Sequence, residues 1–194
     1  MNKPELYNDL HPDKSLKNTG YKDEKTAKNT LKIIQKRSLK YQFDVVNTMY
    51  NRAKFHQSPT EDMKKAMNIF DKWLKKYPNK KLNEDNKFPF LDLVTIKKYS
   101  NLINNFKFSY KSIKFFNMYE SLEGKKHKLQ YILYNDESDD FDFWSYRIHF
   151  IKKNLEIMKD KNKPFFYSKG KLKDLPTKDH LLLILHAYSP YKNI

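Results

Sequence analysis

The stretch from Ser58 to Tyr77 constrains the fold most strongly, because it combines a helix start signal with one continuous apolar face. Ser58 can cap a helix, and Pro59 suits its first position. Glu61, three residues after the cap, can complete a capping box. Pro78 disfavours helical geometry at the residue before it. The pattern therefore predicts an amphipathic helix from about Pro59 to Tyr77, with an apolar face formed by Met63, Ala66, Met67, Phe70, Trp73, Leu74 and Tyr77.

Two further helices are predicted before this one. Asp23 can cap a helix that extends to about Arg37, and apolar residues at spacings of three and four favour a second helix from about Leu39 to Phe55. Three amphipathic helices joined by short connections favour a compact three-helix unit. We therefore expect four parts: an N-terminal arm over residues 1–20, the three-helix unit over 21–78, a linker or loop over 79–87, and a helical part over 88–194.

The C-terminal part is also predicted to be mostly helical. Residues 129–134 fit either a helix or a strand, and residues 163–176 fit a loop or a small hairpin around Gly170. The expected fold class is therefore mostly α, with the three-helix unit followed by a bundle-like helical part and room for one short hairpin. The four helices expected in this part cover about Leu91–Phe106, Tyr110–Leu122, Asp139–Lys159 and Lys178–Tyr188, the last one capped by Thr177.

The charge balance is strongly basic. The chain has 39 Lys and Arg against 23 Asp and Glu, which gives a formal net charge of +16 that is spread over both halves. Such a charge favours polyanionic partners, with nucleic acid first and an anionic membrane surface or acidic protein second. The first alternative to a nucleic-acid-binding protein is a structural or assembly protein that binds acidic protein partners. Only three of the basic residues are arginine, a composition typical of AT-rich genomes such as those of many large viruses, so codon bias is a competing source of the lysine excess.

The polar face of the second helix carries the first candidate site. Asn47 and Asn51 lie four residues apart, although asparagine is a poor residue inside a helix. Their amides could read adenine edges while neighbouring basic groups hold phosphates, as in a helix-turn-helix protein. The alternative is an ordinary solvated face. The predicted nucleic-acid-binding residues, on this helix and the next, are Lys40, Asn47, Asn51, Arg52, Lys54, Lys64 and Lys65.

For two other classes of residue, a structural role is favoured over a role in binding nucleic acid. The rare arginines Arg37, Arg52 and Arg147 could each bind a phosphate, but structural ion pairs are the favoured use. The many Tyr and Phe could stack on bases, but most of those at helical spacing are expected to fill the core.

No reaction is predicted from the sequence. The acidic run Asp136–Asp142 could hold Mg²⁺, which makes a metal-dependent nuclease the second alternative, but carboxylates at a helix start also offset the helix dipole. The chain has no Cys, its six His show no metal-binding spacing, and its three Gly form no phosphate-cradling loop. We therefore expect a non-enzymatic protein without metal or cofactor.

The sequence also bears on location. Nothing resembles a secretory signal, and the longest apolar run, Leu181–Leu185, is far too short to span a bilayer. We expect a soluble, intracellular protein with no membrane span.

Overall fold

The computed structural model describes residues 16–135 and 138–191. Over these residues the chain forms eight α-helices, a 3₁₀ turn and one two-stranded sheet, which confirms the mostly α fold class with one short hairpin. The chain divides into two compact units between Leu82 and Asn83. None of the helices in the described ranges is long and apolar enough to cross a membrane.

The first unit is built from three helices: α1 (Glu24–Ile34), α2 (Leu39–Lys54) and α3 (Glu61–Lys87), of which α3 continues past Leu82. The predicted cap Asp23 is confirmed, since its carboxylate accepts the Thr26 N–H at 2.7 Å. Ser38 caps α2 by accepting the Tyr41 N–H at 3.3 Å. The apolar faces meet in a core of Ala27, Ile34, Val46, Ala66 and Phe70, all at most 1% exposed.

The predicted start of α3 is wrong by two residues. Thr60 is the cap, because its hydroxyl accepts the Met63 N–H at 3.2 Å. The Ser58 N–H instead donates to the His56 ring at 3.2 Å. Glu61 is then the first helical residue, so it does not hold the position that a capping box requires. Threonine satisfies the same free N–H groups as serine, which is why the local sequence fits either start.

The predicted end of this helix and the linker after it are also wrong. Residues 79–87 are helical, and Pro78 lies inside α3. Proline removes one helical hydrogen bond and crowds the carbonyl four residues earlier, but it does not always end a helix. Pro78 lies on the exposed side, and the following Lys, Leu and Glu residues are good helix formers. Glu84 in this segment also accepts the indole N–H of Trp144 at 3.0 Å.

The second unit contains the remaining elements: α4 (Leu93–Lys97), α5 (Ser100–Asn105), α6 (Tyr110–Ser121), a 3₁₀ turn (Lys126–Gln130), β1 (Leu133–Asn135), β2 (Ser138–Asp142), α7 (Phe143–Asp160) and α8 (Lys178–Leu185). The strands pair antiparallel, with Leu133 opposite Asp142 and Asn135 opposite Ser138. The segment that fitted helix or strand thus contains a 3₁₀ turn followed by a strand. The single helix predicted near residues 91–106 is instead two short helices with a break at Tyr99.

The helix predicted from Asp139 begins at Phe143 instead. Residues 138–142 pair as β2, and the carboxylate of Asp142 caps α7 by accepting the Ser145 N–H at 2.8 Å. This segment is a strand because it pairs with β1, which ends at Asn135 just before it, and such pairing does not show in helical periodicity. The predicted cap of α8 is confirmed, since the Thr177 hydroxyl accepts the His180 N–H at 3.4 Å, although α8 ends at Leu185 rather than Tyr188.

Helices α7 and α8 provide much of the core of the second unit. Ile151, Leu181, Leu183 and Ile184 have no exposed surface, and Phe115 of α6 packs with them in one cluster. This core supports the loop between α7 and α8.

Candidate nucleic-acid interface

The asparagine pair on α2 bonds within its own helix. The Asn51 amide donates to the Asn47 backbone oxygen at 2.9 Å and to the Asn47 side-chain oxygen at 3.2 Å. This is the bond to the carbonyl four residues earlier that polar side chains commonly make inside helices. Base recognition by Asn51 would first require breaking it. Recognition of adenine by this pair stays a prediction.

Three of the predicted phosphate-binding lysines have carboxylate partners on their own helices. Lys40 pairs with Asp44 on α2. On α3, Lys64 pairs with Glu61 at 2.6 Å and Lys65 pairs with Asp62 at 3.0 Å. The hydrogen bond that the Lys65 ammonium donates to Asp62 raises the pKa of Lys65 above its usual value. Exposed pairs at these spacings are weak and can exchange for a phosphate, but they offset the local positive charge.

The last turn of α2 holds the other two basic candidates. Arg52 is half-buried and Lys54 is exposed. The Lys54 ammonium lies 5.8 Å from the Tyr50 ring centroid and 5.4 Å from that of Phe55, whose side chain is 60% exposed. Positive charge is also favourable at a helix C-terminus, which gives these two residues a structural role as well.

A second basic surface lies in the loop between α7 and α8. We define the lysine loop as residues 166–176, because an isolated β-bridge between Phe166 and Pro176 closes it. Residues 168–175 are all exposed, and Lys169, Lys171 and Lys173 alternate along them. The sequence predicts a loop or hairpin here, but the alternating lysines were not among the predicted nucleic-acid-binding residues. The signal was the local charge pattern, which the high lysine content of the whole chain obscured.

Backbone hydrogen bonds hold the lysine loop in one hairpin-like conformation. The Tyr167 N–H donates to the Leu175 carbonyl at 3.0 Å, and the Asp174 N–H donates back to the Tyr167 carbonyl at 2.9 Å. At the tip the Lys173 N–H donates to the Gly170 carbonyl at 3.1 Å. Gly170 has φ +80°, a left-handed conformation that glycine adopts at little cost.

The loop lysines differ from those on α3 in their surroundings. Within the described part of the chain, Lys169, Lys171 and Lys173 form no ion pair. At the base of the loop, Lys163 pairs with Asp179 at 2.9 Å. The three tip charges are thus not offset by a bound carboxylate among the described residues.

Four rings, which we call the aromatic base, pack beneath the lysine loop: Phe165, Phe166, His180 and Tyr191. The His180 ring lies edge-on to Phe165 and Phe166, with centroids at 5.2 and 5.0 Å. Tyr191 meets the same two phenylalanines at 5.5 and 5.0 Å. Even so, 45% of the Tyr191 surface remains exposed. The aromatic base therefore fixes one partly exposed ring beside the loop.

His180 anchors this arrangement by hydrogen bonding at both ring nitrogens. Its Nδ1 lies 3.1 Å from the Phe165 carbonyl, which can only accept, so Nδ1 carries the proton and the Ser189 hydroxyl, at 3.0 Å, donates to Nε2. The Tyr191 N–H in turn donates to the Ser189 oxygen at 3.0 Å. Burial lowers the pKa of His180 to about 4, so the neutral imidazole is the form that anchors Tyr191 at neutral pH.

Arg147 serves the core rather than a surface site. Its guanidinium is buried and donates to four backbone carbonyls at 2.8–3.2 Å, and it lies 3.6 Å from the Phe90 ring centroid. The accepting residues are Phe88, Pro89, His186 and Ala187. Burial lowers the pKa of Arg147 to about 9. The partner that its rarity predicted is thus a set of carbonyls and not a carboxylate.

Among the described side chains, the acidic run contributes one carboxylate, that of Asp142. Asp136 and Glu137 lie outside the described residues, and the Asp142 carboxylate is buried and engaged with the N–H and hydroxyl of Ser145, both at 2.8 Å. Among the side chains that the structure describes, which do not include those of residues 136–140, no three His, Asp or Glu come close enough together to hold a metal ion.

Comparison with protein-family models and with curated proteins finds no match to this sequence.

Proposed function

We propose that this protein binds nucleic acid through lysine–phosphate contacts and is not an enzyme. The observation that carries the proposal is the excess of positive charge. Even if every carboxylate side chain of the protein were paired with one basic group, the net charge would leave sixteen basic groups without a partner. Nucleic acid presents a regular row of phosphates that can neutralise such groups, with release of bound counterions.

The proposed contacts include the residues on α2 and α3. Lys54 and Arg52 supply charge at the end of α2, while Lys40, Lys64 and Lys65 can exchange their weak pairs with neighbouring carboxylates for phosphates. Asn47 and Asn51 would add base contacts if their shared hydrogen bond opens. We further propose an intracellular setting, which fits a chain without cysteine and a nucleic-acid partner.

Filter binding tests the proposal. A labelled 30-nucleotide single strand and a 30-base-pair duplex would be incubated with the full chain at low salt. We expect retention of nucleic acid that is lost as salt is raised. Polyglutamate of matched charge serves as the competitor. If nothing is retained at low salt, or if polyglutamate competes as well as unlabelled nucleic acid, the nucleic-acid proposal is wrong, and the second result favours an acidic protein partner.

A further inference from the structure

We propose that the lysine loop and Tyr191 together form a surface that binds single-stranded nucleic acid. This inference rests on the proposed function and goes further, because it names the contact surface and the strand form that the surface fits.

The chain around the lysine loop is strongly basic. From residue 159 to residue 178 the chain carries seven lysines and two aspartates. Lys169, Lys171 and Lys173 lie at the exposed tip without an ion-pair partner among the described residues, unlike Lys64 and Lys65. Lysine is a flexible point charge, so alternate lysines on a fixed loop can each meet a phosphate of one strand.

The exposed ring of Tyr191 is the second feature that favours binding of a single strand. Proteins that bind single strands combine a basic track with aromatic rings on which bases stack. Tyr191 is 45% exposed, although Phe165, Phe166 and His180 all contact its ring. Its backbone is also fixed through Ser189. A ring that is held in place loses little conformational freedom when a base stacks on it.

The ring and the charges are close enough to act on one strand. Phe166 contacts Tyr191 and closes the loop, and Lys169 follows Phe166 by three residues. Three residues of chain span at most about 11 Å. One short strand can therefore place a base on Tyr191 and its neighbouring phosphates on the loop.

Single strands fit this surface better than duplexes do. In a duplex the bases are stacked on one another, so a tyrosine ring has no free base face to meet, while in a single strand every base can turn onto it. Duplex binding would use the lysines alone. The surface should thus prefer single strands, and Tyr191 should account for the preference.

Fluorescence anisotropy with a labelled 20-nucleotide oligothymidine and a 20-base-pair duplex tests the lysines. The loop variant replaces Lys169, Lys171 and Lys173 by Gln. The matched control replaces Lys17, Lys32 and Lys76, exposed lysines of the first unit, so both variants lose the same charge. We expect the loop variant to lose about tenfold or more in affinity and about two units of salt slope, at roughly 0.7 per phosphate contact, while the control loses less than about threefold.

If wild type binds but both variants lose the same affinity, this inference is wrong and the proposed function stands. If wild type binds neither probe, the proposed function itself is wrong.

Replacing Tyr191 tests the stacking contact. We expect Tyr191→Leu to lose about tenfold in affinity for oligothymidine, with the salt slope and duplex affinity unchanged, and Tyr191→Phe to keep wild-type affinity. Tyr131→Leu is the matched control, because Tyr131 is also about half exposed but lies outside the aromatic base. Circular dichroism would verify that each variant is folded. Wild-type affinity in Tyr191→Leu, or an equal loss in Tyr131→Leu, would overturn the stacking contact.

Discussion

At Arg147 one side chain joins the segment that follows α3 to the segment that follows α8. Its donors satisfy carbonyls in residues 88–89 and 186–187, all buried or partly buried away from water. The Ala187 carbonyl also accepts the Leu91 N–H at 2.8 Å, so a backbone hydrogen bond and the guanidinium together join the two segments. The rarity of arginine correctly marked Arg147 as special, but only the fold shows that its role lies in the core.

Removing this guanidinium should destabilise the second unit strongly. Arg147→Met removes this donor from the buried carbonyls of Phe88 and His186, while the Ala187 carbonyl keeps the Leu91 N–H, and we expect a loss of about 3–5 kcal/mol of unfolding free energy. Arg52→Met, at a half-exposed position of α2, should change it by less than about 1 kcal/mol. Urea unfolding can be followed by Trp144 fluorescence with Trp73→Phe as the common background, since the chain has two tryptophans and they lie in different units. Similar midpoints for the two variants would contradict this role of Arg147.

The buried histidines make stability depend on pH. Burial lowers the pKa of His186 to about 3 and that of His180 to about 4, against about 6.5 in an unfolded chain. Below pH 6.5 the unfolded state therefore binds more protons than the folded state, and stability falls as the pH falls. The limiting slope is about 1.4 kcal/mol per pH unit for each histidine.

We expect urea unfolding to show this loss of stability between pH 7 and pH 5, above the range in which most carboxylates titrate. His180→Gln should reduce the slope, while exposed His127→Gln should leave it unchanged. A stability that stays constant from pH 7 to pH 5 would contradict the neutral, buried state of both rings.

The sequence of α3 predicts the apolar face of this helix correctly but not its two ends. Its apolar face is a local pattern, and the structure buries Ala66 and Phe70 as that pattern predicts. The start of the helix depends on whether Ser58 or Thr60 acts as the cap. Its end depends on whether the helix tolerates Pro78 in its interior. The same limit applies to β2, where pairing with the preceding strand β1 overrides the helix signal of the acidic run.

The cap of α3 gives a direct test at this scale. Thr60→Ala removes the hydroxyl that accepts the Met63 N–H and should lower stability by about 1 kcal/mol. Ser58→Ala should change stability by less than about 0.5 kcal/mol, because its side chain does not cap the helix. Thermal unfolding followed by Trp73, in a common Trp144→Phe background, reports on the first unit. A larger loss of stability from Ser58→Ala than from Thr60→Ala would contradict the cap at Thr60 and favour the predicted capping box at Ser58.

The candidate site was predictable only in part, for the same reason. Sequence spacing placed Lys64 and Lys65 on a polar face but did not reveal how their carboxylate neighbours would pair with them. The bond between Asn51 and Asn47 was equally hidden. The aromatic base joins Phe165, His180 and Tyr191, which are far apart along the chain, so no local pattern brings Tyr191 to the lysine loop.

If the whole protein is a binding protein and not an enzyme, it should bind nucleic acid without cleaving it. Incubation of the full chain with Mg²⁺ or Mn²⁺ and either strand form should leave the nucleic acid intact. The acidic run supplies the variant, Asp139→Asn with Asp140→Asn, which should keep or slightly strengthen binding, because it removes negative charge. Metal-dependent cleavage that disappears in this double variant would show that the protein is a nuclease.

The salt dependence of wild-type affinity shows whether lysine–phosphate contacts hold the nucleic acid. Anisotropy titrations of oligothymidine would be repeated from about 50 to 300 mM salt. Three or more lysine–phosphate contacts predict a plot of log affinity against log salt with a slope of about −2 or steeper, at roughly −0.7 per contact on a single strand. A slope near zero, or no measurable binding at 50 mM salt, would contradict the claim that this protein uses its lysines to bind nucleic acid.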